Sequence, residues 1–206
     1  MILFLLALVY PLLVFFGLKV LEPKWIALCL ISIFVLRTFV EKKRARFALP
    51  RPPVALAFLF LIPFFLGLAF FFNRGFWFLF VPILISLNLL LTFGASLTKG
   101  IPLVEWFARL QVQDLSPQEM IYCRKVTWVW CGFFVLNAAL SLTTIYLHDM
   151  KWWTLYNGFL SYVLMGMLFA TEYVYRHYRF RRYIGAPFDF LLKKIFPPPK
   201  VLSCDP

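Results

Sequence analysis

The chain has few acidic residues, few histidines and no glycine-rich loop. Nine Asp and Glu stand against 21 Lys and Arg, and there are two histidines among 206 residues. His148 and His177 lack the Asp four residues later that acyltransferases carry, and neither a Gly-x-Ser-x-Gly motif nor a paired-aspartate motif for magnesium and a diphosphate occurs. No cluster of His, Cys or carboxylate residues suggests metal ligands. The sequence therefore predicts no catalytic residue, no metal and no cofactor.

Paired cysteines are also lacking. Cys29, Cys123, Cys131 and Cys204 form no Cys-x-x-Cys and no paired spacing, so they indicate neither a disulfide framework nor a zinc site. The run 1–18 has no basic segment at its start and no small-residue cleavage site. It is therefore predicted to be a retained first span and not a signal peptide.

Apolar residues, by contrast, make up 63% of the chain, and the mean hydropathy is +0.83, well above the values typical of soluble domains. Six apolar stretches have roughly the length needed to cross a bilayer. Such spans must be helical, because backbone polar groups in hydrocarbon have to be paired within their own segment. We predict an all-α, polytopic membrane protein with a single integral membrane domain over 1–206, about six transmembrane helices and a basic tail at 176–206. The spans lie at 2–20, 25–40, 54–72, 76–97, 126–147 and 153–175, and the short second one either crosses fully or is re-entrant.

The basic residues predict the orientation. Seventeen of the 21 lie near the second loop, in the fourth loop or after the last span. By the positive-inside rule, both termini and these two loops are cytoplasmic. The aromatic residues lie inside apolar runs and not among the basic ones, so membrane lipids are the predicted partners of the positive charge and nucleic acid is not.

The fourth loop has helical patterns of its own. Residues 101–112 begin with Pro102 and place Leu103, Trp106, Phe107 and Leu110 on one face, with Glu105 and Arg109 paired four residues apart on another. This pattern predicts a short helix at the cytoplasmic interface, between the fourth and fifth spans. The sequence Ser-Pro-Gln-Glu at 116–119 has the form of a capping box, which predicts a helix of about 30 residues up to position 147.

Polar residues inside the spans are the candidate functional side chains. Asn88 and Asn137 lie at similar depths; they either hydrogen bond between helices or line a cavity for a lipid or polyene headgroup. Asn157 and Glu172 share one stripe of the last span, which must face protein. Glu172 either forms an ion pair with Arg124 or Lys125, or serves as a proton-relay or catalytic carboxylate.

Four segments carry a resemblance to a known family: PLVEWFARL at 102–110, YCRKVTWVW at 122–130, WTLYNG at 153–158 and GMLFATEY at 166–173. They resemble small bacterial inner-membrane proteins encoded beside the enzymes that make aryl-polyene and xanthomonadin-type pigments. The resemblance covers roughly the C-terminal half and brings no catalytic residue with it. The positions to test first are Glu105, Arg109, Arg124, Thr127, Trp128, Asn157, Gly158, Glu172 and Tyr173.

The resemblance implies a multi-pass protein of the bacterial inner membrane that works with a fatty-acid-synthase-like pathway. We expect a non-enzymatic accessory protein that docks the cytoplasmic acyl carrier protein or synthase enzymes, or supports delivery of a lipid-linked aryl polyene. The alternative is a membrane-embedded acyl or lipid transferase, or a lipid transporter, that uses Glu172 with Asn88 and Asn137.

Overall fold

A computed structural model describes residues 2–43, 53–98, 100–112, 114–181 and 194, and these are helical with short connections. No strand occurs among them. A 3₁₀ segment, Gly75–Phe80, leads directly into the fourth helix, and a π-helical segment, Tyr156–Leu160, joins the last two. The α-helices are α1 Ile2–Val20, α2 Pro23–Lys43, α3 Pro53–Phe72, α4 Val81–Thr98, α5 Leu103–Gln111, α6 Pro117–Tyr146, α7 Met150–Leu155 and α8 Ser161–Phe180.

The longest helix begins where its sequence predicted. The Ser116 hydroxyl accepts from the Glu119 amide at 3.3 Å, and the Glu119 carboxylate accepts from the Ser116 amide at 2.8 Å. With Pro117 at the first helical position, this is a complete capping box. The predicted helix of about 30 residues is confirmed: α6 has 30, or roughly 45 Å at 1.5 Å per residue.

One apolar core lies where the connections α1–α2, α3–α4 and α6–α7 come together. We call it the Phe78 cluster; its buried members are Val14, Ile26, Ala27, Leu66, Ala69, Phe78, Val81, Ile145 and Trp153. Two polar side chains join it through backbone carbonyls. The Tyr10 hydroxyl donates to the Phe78 oxygen at 2.9 Å, and the Trp153 indole donates to the Leu79 oxygen at 3.2 Å.

A second core lies where the C-terminal half of α4, the helix α5, the first half of α6 and the middle of α8 meet. This Cys123 cluster has the buried members Val104, Ala108, Cys123, Val126, Trp130 and Phe134. Phe93 of α4 packs edge-on to Phe134 with 5.1 Å between ring centroids, and Phe169 of α8 lies 4.5 Å from Trp130. The two clusters therefore occupy opposite ends of α4 and α6.

The sixth predicted span is not one regular helix. It begins at Met150 after an Asp149 cap and passes through the π-helical segment before it continues as α8. A Cβ added at Gly158, inside this segment, would lie 3.4 Å from the Pro11 side chain. Glycine thus permits the close approach of α1 to the π-helical segment.

Two described stretches, Gly75–Thr98 and Pro117–Tyr146, are long and apolar enough to cross a bilayer. Three shorter apolar stretches lie in α1, α2 and α3. The second helix is longer than predicted, with 21 residues from Pro23 to Lys43 instead of 25–40. Most of the predicted basic tail lies outside the described residues.

Candidate functional site

The predicted polar residues gather at two levels of α6. Asn137 and Ser141 lie in its second half, where they face α4 and the junction of α7 with α8. Arg124 and Thr127 lie in its first half, beside the Cys123 cluster. Because α6 contacts α4, α5, α7 and α8, it holds both levels in a fixed relation.

At the first level, Asn137 joins three helical segments. Its Nδ2 donates to the Ser86 hydroxyl of α4 at 2.9 Å, and its Oδ1 accepts from the Tyr156 hydroxyl of the π-helical segment at 2.9 Å. The Ser86 hydroxyl in turn donates to the Pro82 carbonyl at 3.0 Å. This arrangement has the form of the interhelical hydrogen bonds that were one of the two interpretations of Asn137.

Asn157, in the π-helical segment, contacts α6 at Ser141, one turn after Asn137. Asn157 is 3% exposed. Its Oδ1 accepts from the Ser141 hydroxyl at 2.7 Å, and its Nδ2 donates to the Trp153 carbonyl at 3.0 Å. The second bond reaches back four residues, from the π-helical segment into α7. Asn157 therefore both joins α6 to the last two helices and bonds to the turn in which it lies.

Asn88 is half-buried on α4, and its carbonyl accepts from the Thr92 hydroxyl at 2.8 Å. Asn137 bonds to α4 at Ser86, two residues before Asn88. Ser86, Ser141 and Tyr156 were not predicted as polar partners. All three were visible as polar side chains inside apolar runs, but a sequence does not say which helices face each other.

At the second level, Glu105 of α5 is buried, with 6% of the residue exposed. Arg109 donates to its Oε1 from Nε at 2.9 Å and from Nη2 at 2.6 Å. The predicted pair four residues apart is thus confirmed. On this helix Glu105 packs inward with Leu103 and Val104, while Phe107 and Leu110 are exposed.

Glu172 pairs with a different residue than the sequence predicted. Arg176, one turn later on α8, donates to its Oε1 from Nε at 2.8 Å and from Nη2 at 2.5 Å. The pairing with Arg124 or Lys125 was wrong; the Arg124 guanidinium donates instead to the Leu97 carbonyl at 3.2 Å. An arginine there stabilises the C-terminal end of α4, where carbonyls lack helical partners.

The stripe of the last span that was predicted to face protein does so. Asn157 and Ser161 are buried, and Gly158, Met165, Leu168 and Glu172 are half-buried. Thr127 is fully buried beside them, with its hydroxyl donating to the Cys123 carbonyl at 2.8 Å. Thr127 is a packed core residue whose polar group is satisfied within its own helix.

No protein-family model, curated protein or solved structure matches this chain.

The contacts define what these side chains can do. The amide of Asn137 and the carboxylates of Glu105 and Glu172 each already bind a neighbour at hydrogen-bonding distance. In the part of the chain that the structure describes, no three His, Cys, Asp or Glu side chains come together as metal ligands. The Asn137 bonds and the Arg124 bond to the Leu97 carbonyl fix helices relative to one another, whereas the Glu105 and Glu172 pairs lie within α5 and α8. Together they position the surface formed by α5 and the ends of α4, α6 and α8.

Proposed function

We propose that the chain is a six-span inner-membrane protein whose basic end docks soluble enzymes of an acyl pathway. The apolar surface supports the membrane placement. Only 33% of the apolar window of Gly75–Thr98 and 39% of that of Pro117–Tyr146 are buried. A soluble protein rarely exposes so large an apolar surface, but lipid covers it without cost.

The helix directions support six crossings. The α1–α2, α3–α4 and α6–α7 connections meet at the Phe78 cluster, while the ends of α4 and α8 and the start of α6 meet at the other end. Helices that alternate in this way place alternate loops on opposite sides. Under the positive-inside rule, the end that holds Arg109, Arg124 and Arg179 is cytoplasmic, as are both termini.

The observation that carries the docking proposal is the rigid corner formed by α4, α5 and α6. The Leu103 amide donates to the Ser96 hydroxyl at 3.0 Å, and Arg124 binds the Leu97 carbonyl. Glu105 and Arg109 brace α5 from within, so that Phe107 and Leu110 are held outward, with 44% and 55% of each residue exposed. An apolar face at a basic end suits both the predicted interfacial placement and contact with a partner.

The resemblance to pigment-cluster proteins suggests the partner: an acyl carrier protein or a synthase that feeds an aryl-polyene or related lipid pathway. Acyl carriers are acidic, and a basic face steers such partners toward it. The chain itself has a net charge of +12. A non-enzymatic accessory role fits this surface better than a transferase or transporter built on Glu172 and Asn137, because Asn137 bonds between helices and Glu172 is already paired with Arg176 within α8.

Co-purification tests the docking role. The full chain, solubilised in mild detergent, should retain the carrier or synthase of its pathway, and Leu110→Asp should lower that retention about tenfold through lost apolar contact and repulsion. Leu147→Asp is the matched control, since Leu147 is 59% exposed at the opposite end of α6. If wild-type protein retains neither partner, and Leu110→Asp leaves pigment output unchanged, the proposal fails.

Cysteine labelling tests the topology. In a chain whose four cysteines are replaced by alanine, an impermeant maleimide should label Leu147→Cys in intact cells and Leu110→Cys only after permeabilisation. Equal labelling of both in intact cells would contradict the alternating arrangement.

A further inference from the structure

An apolar groove runs between α6 and α8, on the side away from the Glu172–Arg176 pair. Its volume is about 350 Å³. It continues along α8 as a second depression of about 490 Å³, and Thr171 lines both. From Leu164 to Tyr178 the two extend for roughly 21 Å by helical rise. The main walls are Gly132, Phe133 and Leu136 on α6, and Leu164, Met167 and Thr171 on α8.

Gly132 forms the open part of the α6 wall. A Cβ added at this position would meet no atom within 4 Å, so the helix contacts of the fold do not require the glycine. Leu136 and Met167 are 53% and 61% exposed. Among the described residues, this face is therefore an open apolar groove on the protein surface.

A basic residue lies at one end of the α6 wall. Lys125 is one turn before Val129, so helical periodicity places it on the groove face of α6. It is exposed. Glu172, the nearest acidic residue on α8, is paired with Arg176, so it does not cancel this charge. Tyr175 and Tyr178 lie between the apolar and basic parts, as aromatic residues do at a membrane interface.

We propose that this groove binds one acyl chain of an anionic phospholipid, with the phosphate of the headgroup against Lys125. Charge complementarity selects an anionic lipid over a zwitterionic one. The binding rests on the membrane placement proposed above. It adds a specific lipid site to a surface that would otherwise contact lipid at random.

The test uses the full chain in phosphatidylcholine vesicles with a trace of spin-labelled phosphatidylglycerol or spin-labelled phosphatidylcholine. Electron paramagnetic resonance measures the immobilised fraction of each. Wild type should immobilise phosphatidylglycerol in preference, and Gly132→Leu, which fills the groove, should lower its association about fivefold. Gly67→Leu is the matched control, because Gly67 is also a helical glycine with no atom within 4 Å of an added Cβ.

The headgroup part has its own comparison. Lys125→Gln should reduce the preference for phosphatidylglycerol over phosphatidylcholine about fivefold. Lys151→Gln should not, because Lys151 is an exposed lysine of α7, beyond the opposite end of α6. Equal association in Gly132→Leu, Gly67→Leu and wild type would overturn the proposal. So would loss of a wild-type dimer in Gly132→Leu with lipid preference unchanged, which would assign the groove to a second copy.

Failure of the membrane placement gives a different result. Wild type would then be released from the vesicles by alkaline carbonate, and no immobilised lipid of either kind would be seen. A protein that stays in the vesicles but shows no lipid preference would refute the groove site alone.

Discussion

The Phe78 cluster and the Cys123 cluster lie at opposite ends of the same helices but are built from different chemistry. Around Phe78, polar side chains contribute through bonds to backbone carbonyls, as Tyr10 and Trp153 do. Glu22 and Lys24 form the ion pair nearest this end; Lys24 lowers the pKa of the Glu22 carboxyl through a hydrogen bond, but both side chains are exposed. Such a pair contributes little to stability.

Around Cys123, charged groups are part of the packing. Glu105 and Glu172 are shielded on α5 and α8, and each is held by an arginine one turn later. Burying a carboxylate costs free energy unless it is paired and hydrogen bonded. The Phe78 end is thus stabilised by apolar packing. The Cys123 end instead holds paired charged groups beside a basic surface, at some cost in stability.

The largest effect should come from the Phe78 cluster. Trp153→Ala removes a side chain that is 1% exposed and leaves the Leu79 carbonyl without its indole donor. We expect a loss of about 3–5 kcal/mol in the free energy of unfolding, as for other buried aromatic truncations. Reversible denaturation in mixed micelles measures it.

The neighbouring tryptophan is the control. Trp152 is 56% exposed, so Trp152→Ala should change stability much less. If the two variants are equally destabilised, the Phe78 cluster is not the packed core of that end.

At the Cys123 end, Glu172→Gln should cost about 1–2 kcal/mol, between the values for exposed and fully buried pairs. The Glu172 side chain is 15% exposed and that of Arg176 is 30% exposed. A double-mutant cycle with Arg176→Gln isolates the coupling. Pigment output should persist in the folded variant. Loss of output at full stability would instead reveal a carboxylate that takes part in a reaction or in proton transfer.

The start of α6 gives a smaller effect at the same end. Ser116→Ala removes the acceptor for the Glu119 amide and should cost about 1 kcal/mol. Amide exchange should accelerate in the first turn of α6 alone. Thr143→Ala is the control, because its exposed hydroxyl bonds only to the Ala139 carbonyl of its own helix. Equal exchange in both variants would mean that the capping box does not hold this end.

The features that the sequence predicts correctly are local ones. The capping box at Ser116, the helix after Pro102 and the Glu105–Arg109 pair each depend on residues within four positions, so spacing alone specifies them. Glu172 shows the limit. Its possible partners were Arg124 and Lys125 on α6 and Arg176 one turn later on α8. The pair with Arg176 forms because helical geometry brings residues four apart together.

The contacts between helices could not be predicted from the same patterns. Asn137 bonds to Ser86 and Tyr156 because α4 packs closely on α6 while the π-helical segment turns Tyr156 toward it. Neither the packing partners nor the π-helical segment has a short sequence signature. Depth in the span was the only guide available, and it does not identify Ser86 as a partner of Asn137.

The smallest effect is expected for Asn137, whose bonds lie between the Phe78 cluster and the Cys123 cluster. Asn137→Ala removes one bond to Ser86 and one to Tyr156, each worth about 0.6 kcal/mol between helices in a membrane. Ser86→Ala removes only the first of these; it also removes the Ser86 bond to the Pro82 carbonyl, but that bond lies within α4, where such back-bonding adds little to helix stability. Unfolding in micelles should show the single Ser86 loss at about half of the Asn137 loss, and the double variant should be close to Asn137→Ala, since the shared interhelical bond is already gone. Under the proposed docking role, pigment output should not change, because these side chains bind one another. A collapse of output in Asn137→Ala with little loss of stability would break the division between packing and docking, since it would make this middle level of α6 a ligand site.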